Sequence, residues 1–145
     1  MIAHHLTQAL AIALTSFLIA TSIPVSHMPY KNTEEITNEK ELPIATLEEI
    51  QEASQSKTTT IIDARPKPFY ELGHIPNAIN ITPREIGSYE NLPEGKPIIV
   101  YCFSPTCPDS QKVGEFLQKN NENIKIFKEG WELWEMMGLP TETTK

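Results

Sequence analysis

From residue 43 onward, short apolar and β-branched runs alternate with stretches of helical character, and this alternation restricts the fold more than any other feature of the chain. Strands that alternate with helices form a parallel sheet whose two faces are covered by those helices. We therefore predict an α/β fold of three layers, with a central parallel sheet between helices. The expected strands are residues 44–45, 58–63, 78–81, 98–101 and 124–127.

The ends of the expected helices are marked by capping residues. Thr46 with Glu49 three positions later forms a capping box at the start of the first helix. Pro108 suits a helical first turn, where its missing N–H is not needed, and Gly138 is a typical helix terminator. The expected helical segments are residues 47–53, 69–71, 84–89, 109–117 and 131–137.

The run 98–101 is the most apolar strand, which favours a central place in the sheet. Cys102 follows it, at the strand end where parallel sheets bind ligands. A loop then leads into a helix. Backbone N–H groups and the dipole at the amino end of such a helix stabilise a thiolate at the Cys102 position. This placement predicts that Cys102 is a nucleophile. The loop consists of Phe103, Ser104, Pro105, Thr106, Cys107 and Pro108.

The amino-terminal segment indicates export. Residues 1–30 contain no Asp, Glu, Lys or Arg, and residues 9–25 are almost wholly apolar or small. Residues 1–22 are interpreted either as a cleaved signal peptide or as a retained membrane anchor through 9–25. Both place the folded part outside the cytoplasm, in the periplasm or another extracytoplasmic space, soluble or tethered. The polar residues 23–42 form a linker.

The charge and composition restrict the partners. The formal net charge is −7, which argues against a nucleic-acid partner because such proteins carry a basic patch. His4 and His5 have no companions that would complete a ligand cluster, so we expect neither a metal nor a cofactor.

Four blocks in register resemble the rhodanese-like (sulfurtransferase) domain family. The segment 61–66, IIDARP, is similar to a family strand that ends in Asp-x-Arg, and 69–81 contains the Gly-His-Ile-Pro-x-Ala-x-Asn pattern. The segment 98–102, IIVYC, resembles the strand that delivers the catalytic cysteine. The segment 128–140 resembles the closing Gly-x-x-x-Trp-x-x-x-Gly-Leu-Pro. The resemblance covers residues 43–142 and implies a rhodanese-like fold.

The resemblance also implies a reaction. The Cys102 thiolate attacks a small sulfane donor, holds the sulfur as a persulfide, and passes it to a thiol, a protein thiol or another nucleophile. Asp63 and Arg65 are expected to form a structural ion pair or to hold neighbouring loops, with Arg65 alternatively lining the pocket. His74 is expected to hydrogen-bond a turn.

The loop departs from the family pattern. Pro105 stands where Gly is frequent and removes an N–H donor, while Cys107 takes the sixth place, which is often basic or hydroxylic. No Lys or Arg lies between Cys102 and Lys112, which puts thiosulfate in doubt as the donor. The Thr106 hydroxyl is a substitute donor.

Cys107 leaves alternatives open. It is the only intramolecular partner for Cys102, and a disulfide between them would disable the nucleophile until a reductant restored it. One alternative is a thiol–disulfide or persulfide redox protein that uses both cysteines and a redox partner. Another is a non-catalytic binding module that recruits a partner through its acidic surface or tether.

Overall fold

The computed structural model describes residues 41–89, 95–121 and 123–144. The predicted signal or anchor segment and the linker up to residue 40 lie outside the described residues. Leu42, the last residue of the predicted linker, is buried in the core. In the described ranges, no helix has the length and apolar character needed to cross a membrane.

Four strands form an all-parallel sheet in the order β2-β1-β3-β4. The strands are β1 (Thr60–Asp63), β2 (Ala78–Asn80), β3 (Ile98–Tyr101) and β4 (Ile124–Phe127). As predicted, the most apolar strand, β3, is internal, and each of its residues is buried. Cys102 therefore leaves the sheet from its middle.

The predicted strand 44–45 is reduced to an isolated parallel bridge between Ile44 and Ile126. The Ala45 amide donates to the Ile126 carbonyl at 2.8 Å, and the Ile126 amide donates to the Pro43 carbonyl at 2.8 Å. Pro43 has no N–H to extend this pairing, and Thr46 already caps the next helix. The prediction of a full strand there is wrong for this reason.

The helices are α1 (Leu47–Gln55), α2 (Lys67–Leu72), α3 (Asp109–Gln118) and α4 (Gly130–Met136). The predicted capping box forms at α1: Glu49 N donates to Thr46 Oγ1 at 3.2 Å, and Thr46 N donates to Glu49 Oε2 at 3.0 Å. The helix predicted over 84–89 is instead a single 3₁₀ turn, Ile86–Ser88. Gly87 and Ser88 in this turn have lower helix propensity than Ala or Leu, which disfavours a longer α-helix.

Two apolar clusters lie on opposite faces of the sheet. Adjacent strand residues divide between them: Ile62 and Val100 belong to one, while Ile61 and Ile99 belong to the other. α3 contributes Val113 and Leu117 to the first face. α1 and α4 cover the second with Ile50, Ala53 and Trp134. The predicted three-layer α/β arrangement is confirmed.

Candidate active site

Cys102 lies directly after β3 and is 1 % exposed. The strand before it carries Tyr101, and the loop after it leads through Pro108 into α3. The sheet fixes its backbone on one side. α4 fixes it on the other, because the amide of Trp131 donates to the Cys102 carbonyl at 2.8 Å.

A tight turn folds the loop back on itself. The amide of Cys107 donates to the carbonyl of Ser104 at 3.0 Å, which places Pro105 and Thr106 at the two central positions. Pro is favoured at the first of these positions because its φ is already set for the turn. The Ser104 and Thr106 hydroxyl oxygens lie 3.2 Å apart and share a hydrogen bond that either can donate.

The turn brings the two cysteines together. Cys102 and Cys107 form a disulfide, with their Cα atoms 6.1 Å apart. The sequence left this pairing open, since five residues of separation do not determine whether the side chains meet. In this state neither sulfur is a nucleophile, because thiol–disulfide and persulfide chemistry both begin from a thiolate.

The start of α4 is seated against the loop. The amide of Glu132 donates to the Phe103 carbonyl at 2.9 Å. Gly130 has φ +65°, and a Cβ built there would overlap the Cys102 carbonyl oxygen and lie 2.9 Å from the Phe103 carbonyl carbon. Glycine is therefore required at this position both by conformation and by space.

Asp63 and Arg65 form the predicted ion pair, and it is buried. Arg65 Nη2 donates to Asp63 Oδ2 at 2.7 Å, and Nε lies 3.0 Å from both carboxylate oxygens. Nη2 also donates to the carbonyl of Gly73 at 2.6 Å. The guanidinium carbon lies 4.3 Å from the Trp131 ring centroid and 5.5 Å from that of Phe103. At 2 % exposure, Arg65 is buried between Asp63 and the rings of Trp131 and Phe103, and Phe103 belongs to the loop.

Tyr101 extends this network, although no pattern in the sequence pointed to it. Its hydroxyl donates to Asp63 Oδ2 at 2.6 Å and accepts from the Ile75 amide at 3.1 Å. Burial, followed by the charge of Asp63, raises the pKa of Tyr101 well above its usual value. Tyr101 therefore stays a neutral donor.

Asp109 was also missed. One of its carboxylate oxygens and the two sulfur atoms all lie within 4.8 Å of one another. Asp109 also pairs with Lys112 at 3.2 Å. The sequence placed this residue at the start of a helix but gave no sign that the turn would bring the cysteines to it.

Cys102, Cys107 and Asp109 are the one group of three possible metal ligands in the part of the chain that the structure describes. Joined as a disulfide, the sulfurs do not offer the thiolates that a metal would bind. The prediction that the chain binds neither metal nor cofactor stays a prediction.

A cavity of about 80 Å³ lies beside the loop. Its lining includes Pro105, Cys107, Ser110, Gln111 and Lys128. The half-buried Cys107, and not Cys102, faces this space. A cavity of about 260 Å³ lined by Thr59, Pro97, Ile98 and Asn123 lies at the opposite, amino ends of the strands.

His74 has the structural role predicted for it. Its Nδ1 lies 2.8 Å from the Tyr70 carbonyl, and its ring stacks on that of Tyr70 with centroids 3.8 Å apart. Its backbone pairs with Glu142 in an antiparallel bridge. These contacts hold the turn before β2.

Comparisons with known proteins identify the domain family of the chain. Residues 46–137 match the sequence profile of the Rhodanese-like domain. The chain is 30 % identical over 84 residues to an HTH-type transcriptional regulator of Mycobacterium tuberculosis, covering 57 % of this chain and 37 % of the regulator. It thus spans little more than a third of that relative's length.

Solved structures agree with this match. A rhodanese-related protein from Thermoplasma volcanium is similar with a TM-score of 0.60 and 26 % identity, covering 69 % of this chain and 97 % of that one. The BH2092 protein from Bacillus halodurans is similar with a TM-score of 0.58 and 26 % identity, covering 66 % and 71 % of the two chains.

Proposed function

The chain belongs to the rhodanese-like domain family, and from this membership we propose that it is a sulfurtransferase that carries sulfane sulfur as a persulfide on Cys102. The observation that supports this most directly is the position of Cys102. It leaves the central strand at the carboxyl edge of the sheet and enters a loop that α4 holds in place. Ligands reach parallel sheets at that edge.

The reaction begins from the reduced protein. The Cys102 thiolate attacks the outer sulfur of a sulfane donor, the S–S bond of the donor breaks, and the remainder leaves with the electron pair. A thiolate acceptor then attacks the terminal sulfur of the persulfide, and Cys102 leaves as a thiolate. This is a two-step covalent transfer with an enzyme-bound intermediate.

The charges near the sulfurs favour donors of low charge. Asp109 places a carboxylate within 4.8 Å of both sulfurs. Like charges about 4 Å apart repel by roughly 1–4 kcal/mol, depending on the local dielectric. The ion pair of Asp109 with Lys112 at 3.2 Å offsets part of this repulsion. A dianion such as thiosulfate is opposed more strongly than a monoanionic thiosulfonate or a neutral organic persulfide (R–S–SH), so we propose a small donor of low charge and a thiol acceptor.

Intact mass measurement tests the transfer. The Cys107→Ser variant is reduced, desalted and exposed to a sulfane donor, because it isolates Cys102 from its disulfide partner. We expect a gain of one sulfur atom that cyanide or a dithiol removes. The Cys102→Ser variant is the control and should gain none. Absence of sulfur on Cys107→Ser would contradict the proposal and favour a binding module.

The disulfide favours a second candidate function, a thiol–disulfide redox protein that uses Cys102 and Cys107. This function needs no sulfane donor. Its test is whether the oxidised protein transfers its disulfide to a reduced substrate protein, with Cys107→Ser as the inactive control. Equal rates for the two proteins would exclude it.

We propose in addition that the domain works outside the cytoplasm. The support is the uncharged segment 1–30 with its apolar run 9–25, and disulfides persist in oxidising compartments. Cell fractionation with amino-terminal sequencing of the mature chain tests this. A cleaved soluble chain or an uncleaved membrane-bound chain would agree, whereas an uncleaved cytoplasmic chain would contradict export.

A further inference from the structure

We propose that Cys107 discharges the persulfide on Cys102 as hydrosulfide, which makes the protein a dithiol-dependent sulfane reductase. This inference rests on the proposed function, since it needs a persulfide on Cys102. It goes further by assigning Cys107 a role in every turnover and by naming the product. The observation behind it is that the loop joins these two residues in a disulfide.

The loop holds Cys107 within reach of Cys102 by contacts outside the disulfide. The Cys107 amide donates a hydrogen bond to the Ser104 carbonyl at 3.0 Å, and the Trp131 amide donates one to the Cys102 carbonyl at 2.8 Å. A thiol positioned in this way has an effective concentration far above that of any thiol in solution. The internal reaction therefore replaces the external thiol acceptor, and the part of the proposed function that is retained is the loading of sulfane sulfur on Cys102 as a persulfide.

The discharge step balances with a proton from water and no other reactant. The Cys107 thiolate attacks the Cys102 sulfur of the persulfide, forming the Cys102–Cys107 bond and breaking the bond to the terminal sulfur. The terminal sulfur, which has taken a proton from water, leaves as HS⁻ with the bonding electron pair. The sulfane sulfur gains two electrons, and the two cysteines are oxidised to the disulfide. The Asp109 carboxylate, within 4.8 Å of both sulfurs, opposes retention of this anion.

A dithiol then restores the reduced protein. Cys102 is 1 % exposed, whereas Cys107 is half-buried beside the cavity of about 80 Å³. The dithiol therefore attacks the sulfur of Cys107, and Cys102 leaves as the thiolate that the next transfer requires. A second attack within the mixed disulfide frees Cys107 and oxidises the dithiol.

A single-turnover experiment tests the proposal. The reduced, desalted full chain is mixed with benzenethiosulfonate, a monoanionic donor whose leaving group is a sulfinate. Because this leaving group is not sulfide, sulfide arises only from discharge. We expect one equivalent of sulfide per chain, and a final mass lower by two hydrogens with no sulfur retained.

Three variants separate the possible failures. Cys107→Ser and Cys107→Ala should both retain one sulfur atom and release no sulfide. Agreement between the two variants shows that the loss of the thiol, and not a change in side-chain packing, causes the effect. Sulfur retained on the wild-type chain would overturn the discharge step while leaving the proposed function intact. No sulfur on either Cys107 variant would overturn the proposed function itself. Sulfur on Cys102→Ser would reverse the two roles and overturn the assignment.

Discussion

The hydroxyl of Tyr101 donates a 2.6 Å hydrogen bond to Oδ2 of Asp63, across a sequence separation of 38 residues. The two residues are also paired in register on neighbouring strands. The last side chain before Cys102 is thereby tied to the ion pair that supports the loop. The stability of the fold and the position of the cysteine consequently depend on the same polar cluster.

Tyr101→Phe should lower the free energy of unfolding by about 1–3 kcal/mol, because it leaves the Ile75 amide and an Asp63 oxygen without a partner. Chemical denaturation measures this loss. Tyr89→Phe is the matched control, since Tyr89 is exposed, and it should change stability by less than about 0.5 kcal/mol. Equal effects in the two variants would contradict the role of the buried hydroxyl.

The stability should also depend on Tyr101 at alkaline pH, because burial and the Asp63 charge raise its pKa in the folded state. The unfolded chain releases this proton near pH 10, whereas the folded chain retains it. The contribution of protonated Tyr101 to the free energy of unfolding is complete below pH 10. Above pH 10 it falls by about 1.4 kcal/mol per pH unit, until the pH exceeds the pKa of Tyr101 in the folded state.

Denaturation of wild type and Tyr101→Phe between neutral and alkaline pH tests this. Both are measured in a Cys102→Ser, Cys107→Ser background to exclude disulfide exchange. The stability difference between the two should shrink above pH 10. Parallel profiles would show that Tyr101 has no raised pKa.

Arg65→Lys should destabilise the domain although it conserves charge. Arg65 donates from Nε and Nη2 to Asp63 and from Nη2 to Gly73, and a single ammonium group lacks this fork. We expect a loss of about 3 kcal/mol. Arg84→Lys, at an exposed position, should change stability by less than about 0.5 kcal/mol. A result for Arg65→Lys as small as that of the control would contradict the structural role.

Gly130→Ala and Gly138→Ala separate backbone conformation from close contact. Their φ angles are +65° and +63°, but only at Gly130 would a Cβ meet the loop. Gly138→Ala should cost about 1–2 kcal/mol, and Gly130→Ala about 1–3 kcal/mol more. Only Gly130→Ala should slow persulfide loading in the Cys107→Ser background. Equal loading rates would show that α4 does not position Cys102.

Asp109→Asn should speed loading by an anionic donor about fivefold at low salt, because it removes a carboxylate close to the sulfurs. The advantage should fade at high ionic strength. Glu115→Gln removes one charge at an exposed position on the same helix and should leave the rate unchanged. Lys112→Gln should slow loading, since Lys112 pairs with Asp109. No difference between Asp109→Asn and Glu115→Gln would contradict the electrostatic role.

Most of the sheet could be predicted because strand identity is a local property. Runs such as 98–101 are apolar throughout, and such runs suit strands buried on both faces. The errors occurred where tertiary contacts decide. Residues 44–45 have space for only one bridge before the cap at Thr46, and 84–89 form only a 3₁₀ turn.

Features of the site that depend on neighbouring residues in the sequence were predictable, whereas contacts between distant segments were not. The position of Cys102 after a central strand followed from the sequence, and the expected Asp63–Arg65 ion pair forms. The contacts of Tyr101, Asp109 and Gly130 were not predictable, because they depend on how a turn and a distant helix meet the loop. Sequence spacing contains no information on such distances.

The contacts that seat the loop also determine when, during synthesis, the site can be completed. A ribosome delivers residues from the amino end, so both cysteines emerge before Trp131, whose amide later holds the Cys102 carbonyl. The bridge between His74 and Glu142 closes later still. A nascent chain that has reached only α3 therefore contains both cysteines but lacks the α4 amides that hold the Cys102 and Phe103 carbonyls.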